Sequence, residues 1–310
     1  MDVLEVLHVT NIVSAAVTER QRAIRKYLTD FQNPLEYLTD EQFIERYRLN
    51  KAGVIGFMEY LQQDLENESG RGLPLPPILM FLVVLRFYAT GSFQLVTGDL
   101  ESVSQPTVSR LVKYISTAIG SKYSDFIKFP EGESAAREAS RFFQNSGFPG
   151  VVGAIDCTHI KIQSPGGDAA ELYRNRKRLF SLNVQAVCNS DMIFTNLVAR
   201  WRGSVHDSRI FLNSLLRQNF EDGRYNGILL GDNGYGCKRY LMTPFLVPQN
   251  DGEKRYNRAL IKSRTTIERT FGVWKRIFPC LSLGLRTCVD TSMAIIVATA
   301  VLYNYARMSR

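Results

Sequence analysis

The stretch Val151–Ile160, which reads VVGAIDCTHI, places an aspartate inside an apolar run. The run is rich in β-branched residues and is apolar at consecutive positions, which is typical of a strand buried on both faces. A carboxylate at such a position costs free energy unless it is paired or bound to a metal ion. The stretch therefore predicts a central strand in which Asp156 has a function.

The chain changes its character at this strand. Residues 1–149 show helical periodicity, and β-rich runs begin at Gly150. Strands that alternate with helices indicate a mixed α/β sheet, so we predict an all-α domain over 1–149 and an α/β domain over 150–310. The helices predicted in the first domain are Ala15–Thr29, Thr39–Arg48, Lys51–Gln63, Pro77–Thr90, Pro106–Ile119 and Ser134–Gln144.

Short β-rich runs and helical patterns follow one another after Gly150. The predicted strands are Val151–Ile162, Asn183–Asn189, Ile193–Trp201, Ile228–Leu230 and Leu241–Phe245, of which the last has the weakest pattern. The predicted helices are Val205–Phe220, Lys262–Arg276 and Thr291–Arg307.

A second acid follows another apolar run. The residues from Gly227 to Asp232 read GILLGD, and a glycine-rich turn comes directly after them. Open α/β sheets place their sites at the carboxyl ends of strands. Asp232 is therefore the second candidate for chemistry.

A third acid, Glu268, lies on a predicted helix. The apolar stripe of this helix consists of Ile267, Phe271, Trp274 and Phe278. Glu268 borders the stripe, so a helix packed on the sheet would aim it across the strand ends. A surface ion pair with Arg264, one turn earlier, is the alternative that the helix pattern leaves open.

These positions form the layout of an RNase H-like nuclease, with one acid on the first strand, one after the fourth and one on a later helix. Seventy-five residues separate Asp156 from Asp232, and 35 separate Asp232 from Glu268. Clustered carboxylates without histidine suit the hard, oxygen-preferring ions Mg²⁺ or Mn²⁺. Two such ions about 3.5–4 Å apart can activate a water and stabilise the leaving oxygen of a phosphodiester.

The remaining acid of interest, Asp207, opens another predicted helix in the run HDSRIF (206–211). The helix dipole alone favours an acid in a first turn. Position alone therefore does not assign Asp207 a function.

Seven blocks of the second half resemble the PIF/Harbinger family of DDE transposases and the nucleases derived from them. In chain order they are GAIDCTHI (153–160), YRNRK (173–177), SLNVQAV (181–187), GSVHDSR (203–209), LLGDNGY (229–235), RYNRA (255–259) and IERTFG (267–272). The resemblance covers about residues 150–304. The helical region 91–113 is similar to the family's helix-turn-helix segment, with a looser match.

The resemblance implies roles for four acids. Asp156, Asp232 and Glu268 match the catalytic triad of the family, and Asp207 matches an additional acid that would be a fourth metal ligand. It also implies a nuclear protein that acts on DNA with a separate Myb/SANT-like DNA-binding partner. A cytoplasmic pool and a homo-oligomer are left open.

The net charge of +8 is unevenly distributed along the chain. Residues 1–150 hold 15 basic and 18 acidic side chains (net −3), whereas residues 151–310 hold 23 and 12 (net +11). The basic half is suited to a polyanion, and nucleic acid is the leading candidate. Solvated surface charge is the alternative for each cation that we expect to hold the phosphodiester backbone, namely Arg174, Arg176, Lys177, Arg255, Arg258, Lys262 and Arg264.

A helix-turn-helix-like segment is predicted at about residues 91–119. Ser104 is a suitable N-cap, and Pro106 suits a first turn. The second helix has an apolar stripe on one side, and on the other it presents short polar groups with Arg110 and Lys113, as a recognition helix does. An ordinary amphipathic helix explains the same pattern.

Composition and motifs exclude several classes of protein. The five cysteines are odd in number and widely spaced, which argues against a disulfide framework or a zinc knuckle. The apolar stretches Leu75–Ala89 and Met293–Tyr303 predict buried helices rather than membrane spans. There is no phosphate-binding G-x-x-x-x-G-K motif, no H-E-x-x-H and no G-x-S-x-G in the sequence.

The leading hypothesis is a metal-dependent DNA endonuclease that cleaves phosphodiesters and transfers strands if it retains transposase chemistry. The alternative from another class is a domesticated, catalytically silent DNA- or chromatin-binding protein that acts with a Myb/SANT-like partner. A two-metal phosphatase for small substrates is third, because the basic half suits a long polyanion better.

Overall fold

The run that opens the sequence analysis forms strand β1 (Val151–Lys161) at the centre of a five-stranded sheet in the computed structural model of the protein. The structure describes residues 33–65, 75–92, 94 and 103–309. The other strands are β2 (Ser181–Cys188), β3 (Phe194–Arg202), β4 (Ile228–Leu230) and β5 (Leu241–Met242). Their spatial order is β3-β2-β1-β4-β5.

The sheet is mixed. β1 pairs antiparallel with β2, and β2 pairs antiparallel with β3, whereas β4 and β5 run parallel to β1. The order and the directions are those expected of an RNase H-like sheet, with β1, the strand that carries Asp156, between its antiparallel and its parallel part. The described helices are α1 (Pro34–Tyr37), α2 (Asp40–Tyr47), α3 (Lys51–Leu65), α4 (Pro77–Thr90), α5 (Gln105–Ser121), α6 (Tyr123–Phe126), α7 (Gly132–Ser146), α8 (Asp207–Leu212), α9 (Leu215–Glu221), α10 (Asp251–Ile277), α11 (Cys280–Leu283) and α12 (Val289–Met308).

Helices cover both faces of the sheet, and each face has its own apolar core. On one face, Phe211 of α8 and Leu216 of α9 belong to a buried cluster with Ile155 of β1. On the other face, Phe142 of α7 and Leu260 of α10 cluster with Val151 of β1 and Leu230 of β4. The long helix α10 therefore runs over the sheet face to which Asp156 belongs.

A helical layer packs beside the sheet and joins both halves of the chain. The apolar stripe predicted on α5 is buried against α4 and α12. The α12 side chain of Asn304 bonds both the N–H and the C=O of Phe194, which lies on the edge strand β3. Asn304 therefore satisfies the backbone at the first residue of this edge strand. The predicted domain boundary near residue 149 stays a prediction.

Most predicted elements are confirmed, with three corrections. The helix predicted over Val205–Phe220 is wrong as a single element, because α8 ends with Asn213 as its C-cap and Ser214 caps α9 by accepting the N–H of Arg217. Helix α10 begins eleven residues earlier than predicted, because its first two turns after the Asn250 cap are polar. The strand predicted over Leu241–Phe245 ends at Met242. The predicted helix Ala15–Thr29 lies outside the described residues.

One described helix, α12, is long and apolar enough to cross a membrane by length and composition. Its most apolar window is 61% buried inside the fold. This burial is what a core helix requires, and it agrees with the prediction of a buried helix at Met293–Tyr303.

Candidate active site

Asp156 lies on the face of β1 that helix α10 covers. Its Oδ1 accepts the N–H of Cys157 at 2.8 Å, and its Oδ2 accepts the Arg264 guanidinium at 3.0 Å. Burial raises the pKa of Asp156 to about 6, opposed by these two donors and assisted by the negative charges of Asp232 and Asp207. The site therefore concentrates negative charge around a half-buried carboxylate.

Helix α10 brings Glu268 to the same place through Arg264. The second guanidinium nitrogen of Arg264 donates to Glu268 Oε1 at 2.5 Å, one helical turn away. The ion pair that the sequence left open thus exists, and it continues to Asp156, 108 positions earlier in the chain. Arg264 joins two members of the predicted triad and is itself only 19% exposed.

Asp232 lies in the turn after β4, as predicted. Its Oδ1 accepts the N–H of Gly234 at 2.9 Å, which fixes the carboxylate at the start of the turn. The preceding Gly231 is required by packing, because a Cβ there would lie 2.9 Å from the Tyr235 ring. The turn holds Tyr235 buried, with its hydroxyl 3.3 Å from the sulfur of Cys157.

Asp207 opens α8, and it contacts residues of the opposite sheet face. Its Oδ1 accepts the side-chain amide of Asn183 at 2.8 Å. In the β1–β2 register, Asn183 is opposite His159, so its side chain shares a face with Cys157 and His159 but not with Asp156. Asp207 therefore lies on the other face of β1 from Asp156, and Cys157 is next to both acids, with its N–H on Asp156 and its thiol beside Asp207.

The oxygen donors of the site are of the type that hard divalent ions prefer. Among the described residues, no group of three histidine, cysteine or acidic side chains lies close enough together to hold a metal ion. The cation that the structure places between Asp156 and Glu268 is the Arg264 guanidinium. The donor chemistry fits a metal, and metal binding requires Arg264 to leave at least one carboxylate.

The predicted DNA-binding residues before β2 differ in whether their side chains already bond to other protein groups. Arg174 donates twice to Glu171 at 2.7 Å and once to the carbonyl of Arg178. The guanidinium of Arg174 is therefore occupied by bonds within the protein. Arg176 is exposed and donates to Nδ1 of His206, beside Asp207. Lys177 is exposed as well. Arg176 and Lys177 thus border the acids, whereas Arg174 stabilises the loop.

The other predicted DNA-binding residues lie on helices. Arg255, Arg258 and Lys262 are exposed on the N-terminal half of α10. Arg110 and Lys113 are exposed on α5, opposite its buried stripe, as predicted. The predicted first helix of the helix-turn-helix lies largely outside the described residues, so this motif stays a prediction.

Lys275, which lies seven residues after Glu268 on α10, was not predicted as a site residue. Its Nζ donates to the hydroxyl of Thr158 at 2.7 Å and to the carbonyl of His159 at 3.2 Å. Burial lowers the pKa of Lys275 to about 8. Arg264, Glu268 and Lys275 follow one another at i, i+4 and i+11, so all three lie on one face of the helix. This spacing is the sequence signal from which Lys275 could have been predicted as a site residue.

His159 is on β1, three residues after Asp156. Its Nδ1 lies 3.0 Å from the hydroxyl of Ser181, and burial lowers its pKa, opposed by the negative charge of Asp207 and assisted by the positive charges of Lys275, Arg176 and Lys177. These three cations therefore lie within electrostatic reach of the strand that carries Asp156.

Known proteins match this chain over most of its length. Residues 155–304, from β1 into α12, match the family described as DDE superfamily endonuclease. The protein named "Putative nuclease HARBI1" in Homo sapiens is 34% identical over 275 residues, which are 87% of this chain and 78% of that protein. The chain belongs to the Harbinger-derived DDE endonuclease family.

Other relatives extend to plants. The Xenopus laevis protein of the same name is 30% identical over 277 residues, covering 88% of this chain and 80% of its own length. The Arabidopsis thaliana "Protein ALP1-like" is 26% identical over 229 residues, covering 67% and 56% of the two chains. No solved structure matches the chain. The resemblance drawn from the sequence blocks is thereby confirmed at the level of the family.

Proposed function

We propose that this chain is a divalent-metal-dependent DNA endonuclease in which Asp156, Asp232 and Glu268 are catalytic. The observation that carries the proposal is the half-buried Asp156 carboxylate on the central strand, connected to Glu268 through one cation and to Asp232 through charge. Membership of a DDE endonuclease family supports phosphodiester cleavage as the reaction.

The acids would hold Mg²⁺ or Mn²⁺, most simply as a pair of ions. Such ions activate water and stabilise the leaving oxygen of a phosphodiester. Asp156 is pre-positioned by β1 and Asp232 by its Gly234 contact, so both carboxylates are held by the backbone before a cation arrives. Glu268 is half-exposed on α10 and would turn toward the ions once Arg264 releases it. Asp207 is proposed as the fourth ligand.

The chain's own cations would hold the DNA backbone beside these acids. Lys275 has no carboxylate partner within ion-pair distance among the described residues, and its hydrogen bonds fix it next to Thr158. Arg176 and Lys177 lie within electrostatic reach of the same strand. Contacts of this kind add affinity without sequence choice.

The experiment is nicking of supercoiled plasmid in Mn²⁺ and in Mg²⁺, with EDTA as the blank. Wild type is expected to nick, and Asp156→Asn, Asp232→Asn and Glu268→Gln are expected to fall to the EDTA level while keeping the wild-type melting temperature. Asp222→Asn, an exposed acid in the loop after α9, is the matched control and should nick normally. Full nicking by any triad variant contradicts the proposal.

The Arg264 bridge favours a second candidate, a catalytically silent DNA- or chromatin-binding protein. A guanidinium that satisfies both Asp156 and Glu268 can keep these acids for structure alone. DNA binding that is unchanged in the triad variants, together with absence of cleavage by wild type, would support this candidate over the nuclease.

Location and partners belong to the same proposal. We propose a nuclear protein that acts on DNA together with a Myb/SANT-like partner that supplies sequence recognition. The near-neutral N-terminal half supports this division, because bulk charge cannot hold it on DNA.

A further inference from the structure

An exposed apolar tip stands between β5 and α10. Phe245, Leu246 and Val247 are 48%, 81% and 69% exposed, between Pro244 and Pro248. Three adjacent large apolar side chains in water are unfavourable, and exposed patches of this kind mark interaction sites. We call Phe245–Val247 the apolar tip.

The apolar tip is anchored, so its exposure is built into the fold. The side-chain amide of Asn257 on α10 accepts the N–H of Phe245 at 2.9 Å and donates to its C=O at 2.8 Å. The hydroxyl of Tyr256 donates to the carbonyl of Thr243, and its ring packs edge-on to Phe245 at 5.2 Å. Leu246 and Val247 therefore project from a fixed backbone.

The anchor lies on the same face of α10 as the acid site. Asn257, Arg264 and Glu268 follow one another at i, i+7 and i+11, which is one stripe of a helix. Eleven residues at about 1.5 Å each place the anchor about 16 Å from Glu268 along the axis. Ile261, on the stripe between them, is 51% exposed and extends the apolar surface toward the acids.

Cations outnumber acids on the part of α10 that follows the apolar tip, where Asp251 pairs with Lys254 and Glu253 accepts the N–H of Gln249. Arg255, Arg258 and Lys262 on α10 have no ion-pair partner among the carboxylates of the described residues. An acidic polymer with apolar interior surfaces fits this combination. A DNA duplex has both, because its phosphates are charged and its stacked bases are apolar.

We propose that the apolar tip is a DNA wedge, which inserts Leu246 and Val247 between base steps next to the cleavage site. Apolar wedges unstack base steps and kink the duplex, while neighbouring cations hold the phosphates. A distance of about 16 Å corresponds to about five base pairs at 3.4 Å per step. The inference rests on the proposed function, because it assumes that DNA lies across the acids.

The test compares a fully paired 40-base-pair duplex with the same duplex carrying one central mismatch, in Ca²⁺ for binding and in Mn²⁺ for cleavage. A mismatch lowers the cost of unstacking, so wild type should bind the mismatched duplex about tenfold more tightly. The fluorescence of a 2-aminopurine beside the mismatch should rise on binding, and cuts should concentrate about five nucleotides from it.

The double variant Leu246→Ser/Val247→Ser should lose the mismatch preference and the fluorescence rise, with unchanged affinity and salt dependence on paired DNA. Leu215→Ser, at a leucine on α9 that is 66% exposed, is the matched control and should behave as wild type. Binding and cleavage by wild type without mismatch preference, or a preference that survives in the double variant, overturns the wedge and leaves the nuclease assignment intact. Absence of DNA binding by wild type overturns both.

Discussion

The two faces of β1 hold their acids in opposite ways. On the α10 face, Asp156 and Glu268 contact the charged Arg264, and Lys275 lies two strand positions away. On the opposite face, Asp207 contacts the neutral amide of Asn183. A carboxylate paired with a cation can exchange that cation for another, whereas a neutral amide only fixes orientation. We infer that the acids of the α10 face would hold the ions chiefly and that Asp207, from the other face, would be the weaker ligand.

Neutralising one acid on each face of β1 is the strongest test of this difference between the faces. Asp156→Asn should reduce the nicking rate by about 10³-fold or more, because Asp156 is the central carboxylate of the triad that would hold the ions. Asp207→Asn should cost about tenfold, because the three acids of the triad would still hold the ions when this additional ligand is lost. Initial rates of plasmid nicking in Mn²⁺ measure both. Equal losses would show that the two faces contribute equally.

A second prediction concerns the neutral character of the Asp207 side. Asn183→Asp puts a second carboxylate against Asp207 in a buried position, which should lower the free energy of unfolding by about 3 kcal/mol at pH 7. Urea unfolding measures this loss. Asn175→Asp, in the loop before β2, is the control, because its oxygen accepts backbone N–H groups and its amide donates only to the hydroxyl of Ser181, which can donate in return. If the control lost as much unfolding free energy as Asn183→Asp, the loss could not be attributed to repulsion between the new carboxylate and Asp207 in the variant.

The charge on the α10 face predicts a pH dependence of stability. Because the folded pKa of Asp156 is raised to about 6, the folded state holds this proton more tightly than the unfolded state does. Its stabilisation is complete below about pH 4 and is lost as the pH rises through 6. In EDTA, wild type should therefore lose about 1–3 kcal/mol of unfolding free energy relative to Asp156→Asn between pH 4 and 7. A constant difference across this range would contradict the electrostatic account.

The smallest predicted effect is at Lys275. Lys275→Met should weaken DNA binding about three- to tenfold and reduce the salt slope by about one phosphate contact. Because the pKa of Lys275 is lowered to about 8, wild-type affinity should fall between pH 7 and 9, whereas Lys275→Arg should retain it. Fluorescence anisotropy with a labelled duplex measures each value, and Lys128→Met on the loop after α6 is the control. Equal pH profiles for wild type and Lys275→Arg would exclude Lys275 from the DNA contact.

The helices and strands that were predicted correctly are those whose apolar pattern continues along the whole element. The apolar run around Asp156 specified the central strand, and the stripe of Ile267 and Trp274 specified the inner face of α10. The start of α10 was missed because its first turns are polar and depend on the Asn250 cap. The division between α8 and α9 was missed because a single serine cap interrupts an otherwise continuous pattern.

The candidate site was predictable in its members but not in its connections. Helix periodicity paired Arg264 with Glu268, since the two are one turn apart. The contact from Arg264 to Asp156 could not be predicted, because it depends on how α10 crosses β1. The separation of Asp207 from Asp156 depends in the same way on the β1–β2 register, which decides the face on which Asn183 lies.

The most direct test of the central claim, that the acids of this site bind divalent metal, is a Mn²⁺ titration followed by electron paramagnetic resonance. The signal of free Mn²⁺ reports how many ions the protein removes from solution, without any need for activity. Wild type should bind Mn²⁺ at one or two sites, Asp156→Asn should lose this binding, and Asp222→Asn should retain it. Wild type that binds no Mn²⁺, or Asp156→Asn that binds as much as wild type, would contradict the account.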